Sequence, residues 1–131
     1  ITNDTVIDIK SSWDCFTFPL VGAKENKDYA DQLQVYMHLT GKKKAVLAYC
    51  LLDLPAALLE AETRKAMYLP ENIGRDEDDI WLELKERHTY SNLPVTLRLR
   101  TFEYEYSPER IEAIKARVLE ARDYLESIKL K

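Results

Sequence analysis

An apolar run near the middle of the chain constrains the fold most strongly. Residues 45–52 read AVLAYCLL and contain no charged side chain. A run of this length and composition is typical of a β-strand that is covered on both faces. Helical patterns precede and follow the run. The sequence therefore predicts an α/β fold, in which helices pack on a mixed central β-sheet.

The remaining segments predict the element order β-α-β-α-α-β-α. The helix before the apolar strand is expected to stop at Gly41, and an internal phase change near Thr101 predicts a bulge in the last strand. The aromatic residues of the first loop, Trp13, Phe16 and Phe18, are expected to be partly buried. The predicted bounds are strand 6–10, loop 11–27, helix 28–40, strand 45–52, helix 53–68, polar loop 70–79, short helix 80–88, strand 95–106 and a last helix from Ser107 onward.

Composition narrows the class of protein. The 131 residues are enough for one domain, and we expect a single domain over 1–131. With 19 basic and 23 acidic residues the net charge is −4, so any contact with nucleic acid has to come from local clusters. Two distant cysteines, Cys15 and Cys50, indicate a reduced, cytoplasmic protein, and no apolar run predicts a membrane-spanning helix.

The candidate chemistry lies on the first strand, in the triplet Asp8-Ile9-Lys10. Alternation along a strand sends Asp8 and Lys10 to one face, with Ile7 and Ile9 on the other face as an apolar support. The chain holds two more acid-x-Lys triplets, at 25–27 in a loop and at 83–85 in a predicted helix, where the charges are expected to be solvated. Strand context therefore selects Asp8 and Lys10.

A second pair follows on the next predicted helix. Gln32 and Tyr36 are four residues apart, so they share one helical face. The alternative is a chance spacing in which Tyr36 is a half-buried core residue. The more specific signal is the conjunction of a strand with an acid-x-Lys triplet, a loop, this helix and then an apolar strand.

These residues resemble the PD-(D/E)xK nuclease superfamily, in particular its RecB-like and phage-exonuclease-like branch. The resemblance lies in VIDIK at 6–10 and DYADQLQVYMHLTG at 28–41, followed by the strand AVLAYCLL. It implies a restriction-endonuclease-like core. It also implies a nuclease dependent on Mg²⁺ or Mn²⁺ that hydrolyses DNA, single-stranded or at duplex ends, as an exonuclease of phage or bacterial recombination and repair.

The resemblance also assigns roles to residues. Asp8 and the backbone carbonyl of Ile9 are implied to be metal ligands, and Lys10 is implied to position the attacking water. Gln32 and Tyr36 are implied to face the same cleft and to contact the phosphate backbone. Beyond the resemblance, we expect the lysines at the far end of this helix to extend that nucleic-acid surface, namely Lys42, Lys43 and Lys44.

One element of the family pattern is absent from the sequence. The family places a further acid on the strand before the acid-x-Lys strand, and Asp4 is too close to Asp8 for that role. We therefore expect an N-terminally truncated portion of a larger nuclease domain, weak or inactive alone, with a homo-oligomer or a recombination protein as further partners. The alternatives are a catalytically silent module that binds nucleic acid or protein, and a plain α/β domain with chance motifs.

Overall fold

A computed structural model describes residues 4–19 and 24–129 of the chain. It contains three strands, five α-helices and one 3₁₀ turn within these residues. In chain order the elements are β1 (Thr5–Ser12), α1 (Lys27–Thr40), β2 (Lys44–Leu51), α2 (Ala56–Ala66), the 3₁₀ turn (Pro70–Asn72), α3 (Glu77–Arg87), α4 (Val95–Arg98), β3 (Leu99–Glu105) and α5 (Pro108–Lys129).

The strands form one mixed sheet in the order β1-β2-β3. The N–H of Leu52, just after β2, donates to the carbonyl of Ser12 at the end of β1, which indicates parallel strands. The N–H of Tyr106, just after β3, donates to the carbonyl of Lys43 just before β2, which indicates antiparallel strands. The prediction of an α/β fold with a mixed sheet flanked by helices is confirmed.

The described residues divide into two compact units. Unit 1 comprises 4–9, 24–48 and 101–129, and unit 2 comprises 10–19 and 49–100. The prediction of a single domain over 1–131 stays a prediction.

Helix α1 organises the core of unit 1. The side chain of Asn26 accepts a hydrogen bond from the N–H of Asp28 at 2.9 Å, and Gly41 ends the helix with a φ of 69°. Leu33 and Met37, one helical turn apart, have no exposed surface. The other buried apolar residues of unit 1 are Val6, Ala45, Leu47, Ala48 and Ile111.

Unit 2 has its own apolar cluster of Phe18, Leu51 and Tyr90. Asp53 fixes the backbone at Tyr90 in this cluster and at the next residue. Its Oδ1 accepts the N–H of Tyr90 at 2.6 Å and the N–H of Ser91 at 2.8 Å. The hydrogen bond from the Tyr90 N–H, joined by those from Ser91, lowers the pKa of the Asp53 carboxyl from its ordinary value. The aspartate before α2 therefore holds the loop that follows α3.

The predicted strand 95–106 is wrong in its first part. Residues Val95–Arg98 form the helical turn α4, and β3 begins only at Leu99. The N–H of Leu97 donates to the carbonyl of Pro94 at 2.9 Å, which closes the turn. The phase change near Thr101 is thus a change from helix to strand, and no bulge is needed to account for it.

The predicted partial burial of the aromatic residues in the first loop is wrong for Phe16. Phe16 is 90% exposed, whereas Trp13 is 42% exposed and Phe18 is buried. The carboxylate of Asp14 accepts the N–H of Phe16 at 2.6 Å and the N–H of Thr17 at 3.1 Å. This local turn directs the Phe16 side chain outward.

The acidic run of the predicted polar loop belongs in part to a helix. Asp76 accepts the N–H of Asp78 at 2.8 Å and caps α3, which therefore begins at Glu77 rather than Ile80. Three acids then lie in the first turn, where the helix dipole favours negative charge. The earlier part of this loop contains the 3₁₀ turn Pro70–Asn72.

Two observations bear on the expectations from composition. Cys15 and Cys50 are free thiols, with Cys15 exposed. Within 4–19 and 24–129, none of the helices combines the length and the apolar character needed to cross a bilayer. The cytoplasmic location stays a prediction.

Candidate functional site

Strand β1 carries Asp8 and Lys10 on one face. Exposure alternates along the strand, with Val6 and Ser12 buried and Asp8 and Lys10 half-buried between them. The period of two is a property of the extended backbone, so the carboxylate and the ammonium group leave the strand in the same direction. Ile9, whose carbonyl is a predicted metal ligand, lies between them.

The two isoleucines do not provide a buried support for this pair. Ile7 is 43% exposed and Ile9 is 65% exposed, whereas the face that holds Asp8 is the shielded one. The covered side of β1 is therefore the side with the charged residues. This is a correction to the expectation from the sequence, because alternation predicts which residues share a face but not which face the fold covers.

The shielding reaches the Asp8 carboxylate itself. Its Oδ2 atom has essentially no solvent-accessible surface. Charges in such a setting interact more strongly than charges in water, because solvent screens them less. A nearby cation is therefore favoured more by Asp8 than by a fully exposed acid.

Helix α1 brings Gln32 and Tyr36 together. The Gln32 Nε2 donates a hydrogen bond to the Tyr36 Oη at 2.6 Å, as the spacing of four residues allows. Tyr36 stays 38% exposed, while Leu33 and Met37 on the same helix are fully buried. Tyr36 is thus accessible and Gln32 is half-buried, on a helix that is anchored by its neighbouring face.

The predicted site residues belong to both units. Asp8, Gln32 and Tyr36 lie in unit 1, whereas Lys10 is in unit 2. The structure pairs Gln32 with Tyr36 and places Asp8 and Lys10 on one face of β1. The convergence of all four side chains on one cleft stays a prediction.

The three consecutive lysines lie between α1 and β2. Together with Asp4 and Gly41 they line an open cavity of about 380 Å³. The Lys43 Nζ lies 4.3 Å from the centre of the Tyr106 ring, and the Tyr106 N–H donates to the Lys43 carbonyl. The three lysines and one aspartate at this cavity have a net positive charge, which suits a phosphate group.

Sequence reasoning missed Gln34, which joins α1 to the end of β3 and to the segment between β3 and α5. Its Nε2 donates to the carbonyl of Glu105 at 2.8 Å, and its Oε1 accepts the N–H of Ser107 at 2.9 Å. Gln34 is buried. A signal was available, because Gln34 adjoins Leu33 and precedes Met37 by three residues, and a polar side chain beside core positions has to be hydrogen-bonded.

A second missed contact is the ion pair between α1 and α5. Both carboxylate oxygens of Asp31 accept from the Arg110 guanidinium, each at 2.6 Å. The Asp31 carboxylate raises the pKa of Arg110 further, so the arginine stays charged. Nothing local in the sequence indicates this pairing, because the two residues are 79 positions apart.

The donor set for a divalent cation is incomplete in this part of the chain. Within the described residues, His, Cys, Asp and Glu side chains nowhere gather in threes or more at a spacing that could hold a metal ion. Asp8 and the Ile9 carbonyl are oxygen donors of the kind Mg²⁺ and Mn²⁺ prefer. These two donors are too few to complete a metal centre by themselves, so no reaction step is assigned to a metal.

Comparison with known proteins finds a similarity to a solved structure. Neither a protein-family model nor a curated protein matches the chain. Among solved structures, the chain is similar to a phage-related exonuclease from Haemophilus somnus 129PT, with a TM-score of 0.64 and 26% sequence identity. The match covers 95% of this chain and 50% of the exonuclease, so the chain spans about half the length of that protein. The α/β fold described above is therefore nuclease-like.

Proposed function

We propose that this chain carries part of the active site of a DNA nuclease of the PD-(D/E)xK type, acting as an exonuclease. The observation that carries the proposal is the half-buried pair Asp8 and Lys10 on one face of β1, within a fold similar to a phage-related exonuclease. The proposal also includes the exonuclease activity of the whole protein, DNA as its substrate and a recombination protein as its partner.

Lys10 supports the reaction through its charge and its hydrogen-bond donors. Hydrolysis of a phosphodiester adds water to phosphorus, and negative charge grows on the phosphate oxygens before the sugar oxygen leaves. An ammonium group offers three donors, which stabilise that charge and orient the attacking water. Burial strengthens the effect, since Lys10 is half-buried rather than exposed on β1.

The remaining predicted residues serve DNA binding in this proposal. Gln32 and Tyr36 present an amide and a phenol to the phosphate backbone from one helical face. Lys42, Lys43 and Lys44 add positive charge at the end of the same helix, in a chain whose total charge is −4. Binding is then expected to weaken as salt concentration rises.

The proposal includes dependence on Mg²⁺ or Mn²⁺. Asp8 and the Ile9 carbonyl would be ligands of this ion, which when bound neutralises charge on the phosphate. These two donors are too few, so the proposal requires at least one further acidic ligand. The 131 residues alone are accordingly expected to be weak or inactive as a nuclease.

A catalytically silent DNA-binding module is the second candidate. The observation that favours it is the lack, within the described residues, of three clustered metal-ligating side chains. Such a module would use the cavity lined by Lys42, Lys43 and Lys44 to bind DNA without cutting it.

The experiment incubates the full-length protein that carries this chain with end-labelled linear duplex DNA and Mn²⁺. We expect progressive shortening from the ends, complete inhibition by a chelator and resistance of covalently closed circular DNA. Binding of the linear DNA without any cutting would instead support the silent module. Cutting of linear DNA that persists in excess chelator would contradict the dependence on metal.

A further inference from the structure

Helix α5 carries an apolar seam that continues past its contact with α1. The spacing along the seam alternates between three and four residues, which is the heptad pattern of helices that pair side by side. In that pattern the apolar residues occupy only two of the seven heptad positions. Such a stripe is narrower than the apolar face of a helix that packs on a large core. The seam consists of Ile111, Ile114, Val118, Ala121, Leu125 and Ile128.

Only the start of the seam is covered in unit 1. Ile111 is 3% exposed where α5 packs on α1, but Val118 is 44% exposed, Leu125 is 57% exposed and Ile128 is 51% exposed. Two grooves of about 480 and 460 Å³ share Ile114 and Val118. From 115 to 128 the helix is about 21 Å long at 1.5 Å per residue, which is enough for two heptads.

The charges beside the seam have one sign. With Ile111 and Val118 in the first core position of the heptad, the flanking positions hold Lys115 and Arg122 on one side and Arg117 with Tyr124 on the other. Within α5, Lys115 and Arg117 contact glutamates at 2.8 and 2.7 Å in exposed pairs of residues three apart. Such pairs contribute little energy, so the basic side chains stay available for a partner.

We propose that α5, from 115 to 128, docks an amphipathic helix of a partner protein that has apolar seam residues flanked by Asp or Glu. Flanking charges decide which helices pair in a coiled coil, and acidic flanks complement those of α5. A second copy of α5 is disfavoured in either orientation, because the flanks that would then meet are all basic or tyrosine. A nucleic acid would leave Val118, Leu125 and Ile128 without an apolar partner.

The test uses two synthetic three-heptad peptides with identical Leu seams, one with Glu and one with Lys at the flanking positions. Binding to the full-length protein is measured by fluorescence anisotropy. We expect the Glu peptide to bind at least about tenfold more tightly than the Lys peptide. The pair Arg117→Glu and Arg122→Glu should reverse that preference, and Leu125→Ser should abolish binding. Asp123→Ala, on the side of α5 opposite the seam, is the matched control and should change nothing.

Several results would overturn the proposal. Equal binding of both peptides, or no binding of the Glu peptide, would rule out a helix with acidic flanks as the partner of the α5 seam. A dimer of the protein that Leu125→Ser dissociates would assign the seam to a second copy instead. Binding to phosphatidylglycerol vesicles that Leu125→Ser abolishes, without binding of the Glu peptide, would assign the seam to a lipid surface.

Discussion

Replacing Lys10 with alanine is expected to reduce DNA cutting by the full-length protein by roughly a hundredfold or more. The change removes the only ammonium group on the face of β1 that carries Asp8, and with it the stabilisation of charge on the attacked phosphate. Initial rates on end-labelled duplex DNA with Mn²⁺ measure the effect. Far-ultraviolet circular dichroism and thermal unfolding establish that the variant is folded.

The matched control for Lys10→Ala is Lys27→Ala. Lys27 is the lysine of another acid-x-Lys triplet, at the exposed start of α1, so its loss should leave the cutting rate within about twofold. Full activity of a folded Lys10→Ala protein would exclude a role of Lys10 in DNA cutting. An equal loss in both variants would point to general charge rather than to the geometry of β1.

The largest expected effect on stability comes from Leu33→Ala. Leu33 has no exposed surface and lies on the buried side of α1, so its truncation leaves a cavity in the core of unit 1. Such changes reduce the free energy of unfolding by about 2–5 kcal/mol. Chemical denaturation in urea measures the loss, which should appear in the midpoint with little change in the slope.

Leu39→Ala provides the control on the same helix. Leu39 is 75% exposed, so the same truncation should change the free energy of unfolding by less than about 0.5 kcal/mol. Equal losses for Leu33→Ala and Leu39→Ala would contradict the placement of α1. The comparison matters for function as well, because α1 also carries Gln32 and Tyr36.

The parts of the fold that the sequence predicts well depend on local signals. Helix α1 has an apolar period of three and four residues and a glycine that ends it at a positive φ, and both are visible in the sequence. The apolar run gives β2 within one residue of its observed bounds. The turn α4 is missed because four residues are too few for a helical period, and Val95, Leu97 and Leu99 imitate a strand.

In the candidate site, too, local sequence patterns predict some features and miss others. Alternation along β1 is sufficient to place Asp8 and Lys10 on one face, and a spacing of four residues is sufficient to pair Gln32 with Tyr36. The contacts of Gln34 with Glu105 and Ser107 join segments more than 70 residues apart in the chain. No local pattern encodes such contacts, nor does one decide which face of β1 is covered.

Anomalous X-ray diffraction from crystals of the full-length protein soaked in Mn²⁺ is the most direct test of the assignment of Asp8 to a metal-dependent nuclease site. We expect a manganese peak within about 2.3 Å of an Asp8 carboxylate oxygen and of the Ile9 carbonyl oxygen, and loss of this peak in Asp8→Asn. A protein that cuts DNA with Mn²⁺ but binds the ion at other carboxylates, with Asp8 outside its coordination sphere, would contradict it.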